Sequence, residues 1–339
     1  MAKVLVTGGS GFIGLHLLAA LAERGDEITC LLRKTCLPEH AQRYVAKIVH
    51  GDITDRNSLA AAVSGKEIVY HLAGLTRADN PKRFYQVNQY GTGNVVAACA
   101  AQNNPPVLIL VSSLAVMGPC TDREPKRESD RPRPVSHYGR SKRGGELAAA
   151  RMSSRLPITI IRPPIVFGEY DRMCLPLFRT IARLGVHFTP GFCQPRYSLV
   201  HAADLVRLLI LAAERGERLP PLFDSAQAGP QGYYFAVSEQ SPYYTDFGRM
   251  IAAAVGRRGV WIFPTPGPLL WVLATAGELF SRLTHLPVSL DIDKAREIAA
   301  GSWVCSADKA VAELNFSPSA PIMERIRQTA EWYRRAGWL

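Results

Sequence analysis

At 339 residues and 47% hydrophobic side chains, the chain has room for one large α/β domain or a main domain with a smaller lobe, which excludes wholesale disorder. Its 40 basic and 29 acidic residues leave a formal charge of +11, but the arginines are scattered rather than gathered in a stripe, which argues against nucleic acid. An anionic cofactor, an acidic substrate or an anionic membrane surface would use the same field.

Residues 3–6 read as a short apolar strand, followed by a glycine loop and a helix over about 15–23. Further strands are predicted at 28–32, 44–49, 68–72, 107–112 and 158–161, with helices near 58–63, 81–101 and 136–154. The strands are apolar throughout rather than alternating, as when helices cover both faces of a sheet. Repeated strand–helix units of this size predict a Rossmann-like, doubly wound parallel α/β sheet. Beyond Arg162 the pattern loosens into helices near 172–184, 202–214, 245–254 and 322–334. The expected organisation is a dinucleotide-binding and catalytic core over 1–168. A smaller, mainly helical substrate lobe over 169–339 is interleaved with late core elements. The seven cysteines are widely spaced without a CxxC, as in a reduced cytosolic protein. A strand from residue 3 leaves no room for a leader, and no run reaches 18 uninterrupted apolar residues, so a cytoplasmic protein is expected.

Gly8, Gly11 and Gly14 follow the first strand and open the first helix, with Phe12 and Ile13 between them. A turn without side chains lets backbone approach a pyrophosphate, and a helix N-terminus offers amide donors and a favourable dipole. The second strand ends in Arg33-Lys34 with no acid at its tip. An acid there would accept from the adenosine ribose, whereas an arginine pairs with a ribose phosphate. NADP is therefore preferred, with NAD possible, although both cations could simply be solvated. Asp52, followed by Ile53, is a candidate for the adenine edge.

Tyr138 and Lys142 are four residues apart and share one helical face. A phenol near pKa 10 is a poor base at neutral pH, and a neighbouring ammonium would favour the phenolate. Ser112-Ser113 closes an apolar strand, and Ser113 would hold a substrate oxygen in line for hydride transfer. No histidine or cysteine cluster supports a metal. His137 is expected to face away from the chemistry. Asp171-Arg172 either shapes the substrate entrance or is a solvated pair.

Taken together these segments resemble the extended short-chain dehydrogenase/reductases, strongly over residues 3 to about 205. The glycine motif, His71-Leu72-Ala73-Gly74 after the fourth strand, and Asn88 with Gly91, Thr92 and Asn94 match in order. So do the serine segment, Tyr138 with Lys142, Arg162-Pro163-Pro164-Ile165-Val166, and the run from Arg196 to Asp204. The resemblance implies catalytic Ser113, Tyr138 and Lys142. It adds Leu72, Ala73, Gly74, Asn88, Ser112, Pro163, Ile165 and Val166 to the cofactor set.

Within that family the chain looks most like the 3β-hydroxysteroid dehydrogenase branch. Met117 replaces a tyrosine common in sugar-acting members, and Leu114-Ala115 replaces the acidic pair of dehydratases. Thr76, Met117, Arg196 and Trp271 are the candidate substrate contacts. The run from Trp261 through Leu269-Leu270-Trp271-Val272-Leu273 to Phe280 could wall an apolar pocket, lie shallowly on a membrane, or pack as an ordinary helix. The expected reaction interconverts a secondary alcohol and a ketone on a sterol-like or lipid substrate, with decarboxylation if that substrate is a β-keto acid. A nucleotide-sugar 4-epimerase, a non-catalytic cofactor sensor and a lipid carrier are the alternatives. A homodimer is compatible with the family.

Overall fold

The computed structural model describes residues 1–33, 37–120, 124–191, 194–221, 229–286, 288 and 290–339. Its first half runs β1 (Lys3–Thr7), α1 (Phe12–Glu23), β2 (Glu27–Leu32), α2 (Glu39–Gln42), β3 (Lys47–His50), α3 (Ala60–Val63) and β4 (Ile68–His71). Next come α4 (Pro81–Phe84), a π-helical segment Tyr85–Gly91, α5 (Thr92–Ala100), β5 (Val107–Val111), α6 (His137–Ala150) and β6 (Ile158–Arg162). The second half carries β7 (Ile165–Phe167), α7 (Leu175–Leu184), β8 (Val186–Pro190), β9 (Leu199–His201), α8 (Ala202–Arg215), β10 (Tyr233–Phe235) and α9 (Tyr244–Ala254). It ends with β11 (Trp261–Thr265), α10 (Gly267–Thr284), α11 (Ile292–Ala299), α12 (Asp308–Leu314) and α13 (Ile322–Arg335).

Seven strands form one sheet in the order β3-β2-β1-β4-β5-β6-β10, and every pairing is parallel. Alternation along β1 shows how both faces are covered. Val4 and Val6 pack with Leu17, Leu18 and Leu21 of α1 and Leu205, Leu208 and Leu209 of α8. Leu5 points the other way, against Val63, Val95, Val96, Cys99 and Ala149. Each such fully buried leucine or valine contributes about 1.5–3 kcal/mol. The order reverses between β2-β1 and β4-β5, so a crevice opens over the C-terminal ends of β1 and β4.

The second lobe has its own core. Phe178 and Ile181 of α7, Phe247 and Ile251 of α9, and Ile326 and Tyr333 of α13 pack around Phe167 and Leu199. Outside this lie the two-stranded parallel ribbon β8–β11 and the paired helices α10 and α11.

Several elements differ from the sequence expectation. β3 begins at Lys47 because Tyr44 and Val45 donate back to Ala41 and Gln42 in the turn that closes α2. The long predicted helix over 81–101 contains the π segment Tyr85–Gly91. The last sheet strand, β10, comes from beyond residue 168 and pairs with β6 over only three residues. Lys34 lies outside the described residues.

Candidate active site

The glycine loop is shaped by close backbone contacts. Gly8 turns at φ +77°, and a Cβ there would lie 2.7 Å from the Ala73 nitrogen. A Cβ on Gly14 would lie 2.3 Å from the Gly8 carbonyl oxygen, so this glycine lets α1 seat against the loop rather than touching a ligand. Gly11 is the N-cap of α1 and supplies no side-chain cap to the first-turn amides, which leaves them for an anion.

A cavity of about 730 Å³ extends from this loop across the tips of β2 and β3. Gly8, Gly11, Arg33, Asp52, Ile53, Leu72, Ala73 and Gly74 line it, and Arg33 is exposed at its edge together with Arg83. The Asp52 carboxylate already accepts from the Thr54 amide and hydroxyl at 2.8 Å each. A second cavity, about 760 Å³, shares Leu72, Gly74 and Leu75 with the first and reaches Phe12, Ile13, Ser112, Ser113, Tyr138, Lys142, Pro163, Ile165 and Val166. A cradle that Cβ atoms would fill, open helix amides and two adjoining cavities along the strand ends fit a dinucleotide.

Tyr138 stands in the first turn of α6. Ser136 caps that turn by accepting from the Gly139 amide at 2.9 Å. Asp293 of α11 accepts from the His137 and Tyr138 amides at 2.7 and 3.1 Å, so a distant helix satisfies two more of the orphan donors. Ser136 donates in turn to Glu297 at 2.6 Å. Gly139 allows the close approach: its Cβ would lie 2.4 Å from the Ala115 carbonyl oxygen, in the turn that follows Ser113. Cβ atoms on Gly144 and Gly145 would likewise meet Gln89 and Asn88 at 2.5 Å. These glycines press α6 against the π segment and the end of β5.

A hydrogen bond joins Ser113 to the Tyr138 phenol. Burial pushes that phenol up to about 12; the Ser113 bond pulls it down and the Glu297 charge raises it. Lys142 faces the same cavity, and burial lowers its ammonium to about 8, partly opposed by Glu146. The expected depression of the phenol by Lys142 is absent from this balance. The ammonium donates to the Val111 carbonyl at 2.6 Å.

Beneath the site, Glu146 accepts from Arg162 Nε and Nη2 at 2.8 Å each, and from Ser112 at 2.6 Å. Ser112 therefore anchors the strand end while lining the cavity. Asn88 is a brace: it accepts from the Leu75 amide and donates to the Leu75 carbonyl and to Ser141, fixing the loop after β4 to α6. It lies outside both cavity walls.

Of the candidate substrate contacts, only Thr76 lies on the cavity wall. Met117 is fully buried, with its sulfur accepting from Arg162 at 3.1 Å. Arg196 donates to the Ser241 carbonyl and covers the Tyr243 ring, away from the cavity. Trp271 lies off the cavity wall, to which α10 contributes Leu269, Leu270 and Leu273; residues adjacent on a helix are rotated by a quarter turn or more. Asp171 does line the cavity and starts α7 by accepting from Met173 and Cys174 amides, while Arg172 covers Trp338. His137 meets Tyr85 at 3.0 Å, outside the cavity wall. Tyr197, Trp303, Asp293 and Glu297 are wall residues that sequence reasoning missed. Only the acid spacing on a predicted α11 could have signalled the last two.

The sequence profile of the NAD dependent epimerase/dehydratase family matches residues 4–222. Ceramide reductase of Caulobacter vibrioides is 32% identical, across 99% of this chain and 96% of that protein. Human 3 beta-hydroxysteroid dehydrogenase type 7 is 28% identical, across 98% of this chain and 95% of its own length. In fold, the chain superposes on UDP-glucose 4-epimerase of Thermus thermophilus, solved with NAD, with a TM-score of 0.75 at 21% identity, covering 98% and 99% of the two chains.

Proposed function

The chain belongs to the NAD-dependent epimerase/dehydratase family and is an NAD(P)-dependent oxidoreductase, and we propose that it interconverts a secondary alcohol and a ketone on a bulky apolar lipid. The carrying observation is the cavity beside Ser113 and Tyr138. Its walls are Phe84, Leu114, Pro163, Pro164, Ile165 and the inward leucines of α10. Among the described residues its charged lining is mixed, Asp171, Asp291, Asp293 and Glu297 together with Arg77, Lys142 and Lys294, rather than the set of cations a nucleotide diphosphate would call for. Relatives named ceramide reductase and 3 beta-hydroxysteroid dehydrogenase type 7, each aligned over nearly the whole chain, support this reading of the substrate class.

The glycine loop, Phe12, Ile13, Leu72 to Gly74, Pro163, Ile165 and Val166 would hold the dinucleotide. Arg33, with Arg83 nearby, favours NADP through a ribose phosphate. The nicotinamide supplies the hydride acceptor for oxidation and the hydride donor for reduction. Tyr138 takes the hydroxyl proton as the alcohol becomes a ketone, and returns it in the reverse direction. Ser113 orients the substrate oxygen beside that phenol. Lys142, held by the Val111 carbonyl, would bind the ribose hydroxyls and keep a positive charge within the site.

The test is conversion of 3-keto long-chain lipids and 3β-hydroxysteroids, with NADP and NAD separately, by the native protein and by Tyr138→Phe. Tyrosine-dependent conversion of an apolar substrate, followed by mass spectrometry of the product, is the expected result. Conversion of a nucleotide sugar alone would overturn the reading.

A further inference from the structure

Among the described residues many of the large exposed apolar side chains belong to the second lobe, on α10 and on the β8–β11 ribbon. On α10, Leu269, Val272, Leu279 and Leu283 recur at spacings of three, seven and four, an outward stripe with Leu283 75% exposed. The β8–β11 ribbon, which leads into α10, exposes Phe188, Trp261 and Phe263; Phe188 and Phe263 are register partners with ring centroids 6.1 Å apart. A helix with apolar residues on its outer side is covered by something, because scattered single residues are normal on a protein surface and a contiguous patch is not.

Two features identify the cover. The first is charge. The chain carries +11 overall, and cations border the patch at its ends. Arg183 adjoins exposed Leu184, and Arg258 precedes β11. The single acid of α10, Glu278, is paired with Arg282. A second copy of this chain would bring like charge against like, whereas an anionic lipid surface complements it. The second is continuity. Phe188, Leu269 and Leu273 belong both to the exposed face and to the wall of the substrate cavity, so the cavity opens where the patch lies.

We propose that the outer face of α10 and the β8–β11 ribbon docks on an anionic lipid bilayer, lying in its interface with the mouth of the cavity against the lipid. No helix of the described residues is long and apolar enough to cross a membrane, so the contact is parallel to the surface. Trp261 and Phe263 enter the headgroup–acyl boundary, while the bordering arginines meet anionic headgroups. The route from bilayer to Tyr138 rests on the lipid-substrate reading; the docking itself does not.

The experiment is cosedimentation of the full chain with vesicles of phosphatidylcholine alone and of equimolar phosphatidylcholine and phosphatidylglycerol, with and without added salt. The native protein is expected on the anionic vesicles and released by salt. Val272→Glu with Leu283→Glu, at exposed positions outside the cavity wall, is expected to weaken binding by roughly tenfold or more at an unchanged melting temperature. Turnover of a short, water-soluble substrate should be unaffected by these changes, and turnover of the same chemistry presented in vesicles should fall. Equal vesicle binding by the double variant would overturn the proposal. So would no binding by the native protein, whether or not sedimentation velocity then shows a dimer that the glutamates dissociate. Vesicle binding without any turnover would leave docking intact and count against the lipid-oxidoreductase reading alone.

Discussion

Replacing Glu146 by glutamine keeps the shape of the side chain and removes the counter-charge of a guanidinium that has no access to water. Arg162 is 2% exposed and Glu146 fully buried, and the two share bonds of 2.8 Å to each carboxylate oxygen. Breaking a buried pair by removing one partner costs about 3–5 kcal/mol, because the remaining charge is uncompensated. Arg143, which also reaches Glu146 at 2.9 Å, is part-exposed, so its share is about 0–1 kcal/mol. Denaturant unfolding at neutral pH is therefore expected to show Glu146→Gln destabilised by about 3–5 kcal/mol. Glu146→Met combined with Arg162→Met should recover most of that loss, since no buried charge remains. Burial raises the Glu146 carboxyl, but the Arg162 charge and hydrogen bonds outweigh it and hold the folded value below the usual range. The contribution is thus complete above the unfolded carboxyl value of about 4.3 and is lost as pH falls through the depressed folded value. The gap between native and Glu146→Gln proteins should narrow in acid. A destabilisation under about 1 kcal/mol, or a gap that widens on acidification, would refute the reasoning.

Tyr138→Phe should lower turnover by about 10²–10⁴-fold with dinucleotide binding retained in a fluorescence titration; comparable turnover would remove the tyrosine from proton transfer. Glu297→Gln removes a charge that raises the Tyr138 phenol, so the acid limb of the oxidation pH profile should move to lower pH, and an unmoved limb would count against the coupling. Gly139→Ala places a Cβ against the Ala115 carbonyl and should cost about 1–3 kcal/mol in unfolding together with a fall in kcat; a variant matching the native protein in both would show that the helix can shift freely. Arg33→Ala should raise the KM for NADP about tenfold and leave NAD little changed, and an equal effect on both cofactors would dismiss the phosphate partner.

The sheet and the grouping of Ser113, Tyr138 and Lys142 on one cavity were legible in the sequence because they rest on local rules. Apolar runs separated by helix-length segments encode a parallel sheet, a glycine loop between strand and helix encodes a cradle, and residues 138 and 142 share a helical face in any α-helix. The substrate side was not legible, because which face of a segment meets the cavity is set by what packs against it. Met117 is four residues past Ser113 in a tight turn that buries it under Arg162, and Trp271 is next to the wall residue Leu270 yet lies off the cavity wall, 40% exposed. The electrostatics of Tyr138 are tertiary for the same reason. Glu297 lies 159 positions away in sequence, Asp293 caps a helix it is not part of, and Lys142 donates to a strand-end carbonyl. A charge or dipole acts through distance and burial, and both are properties of the folded chain.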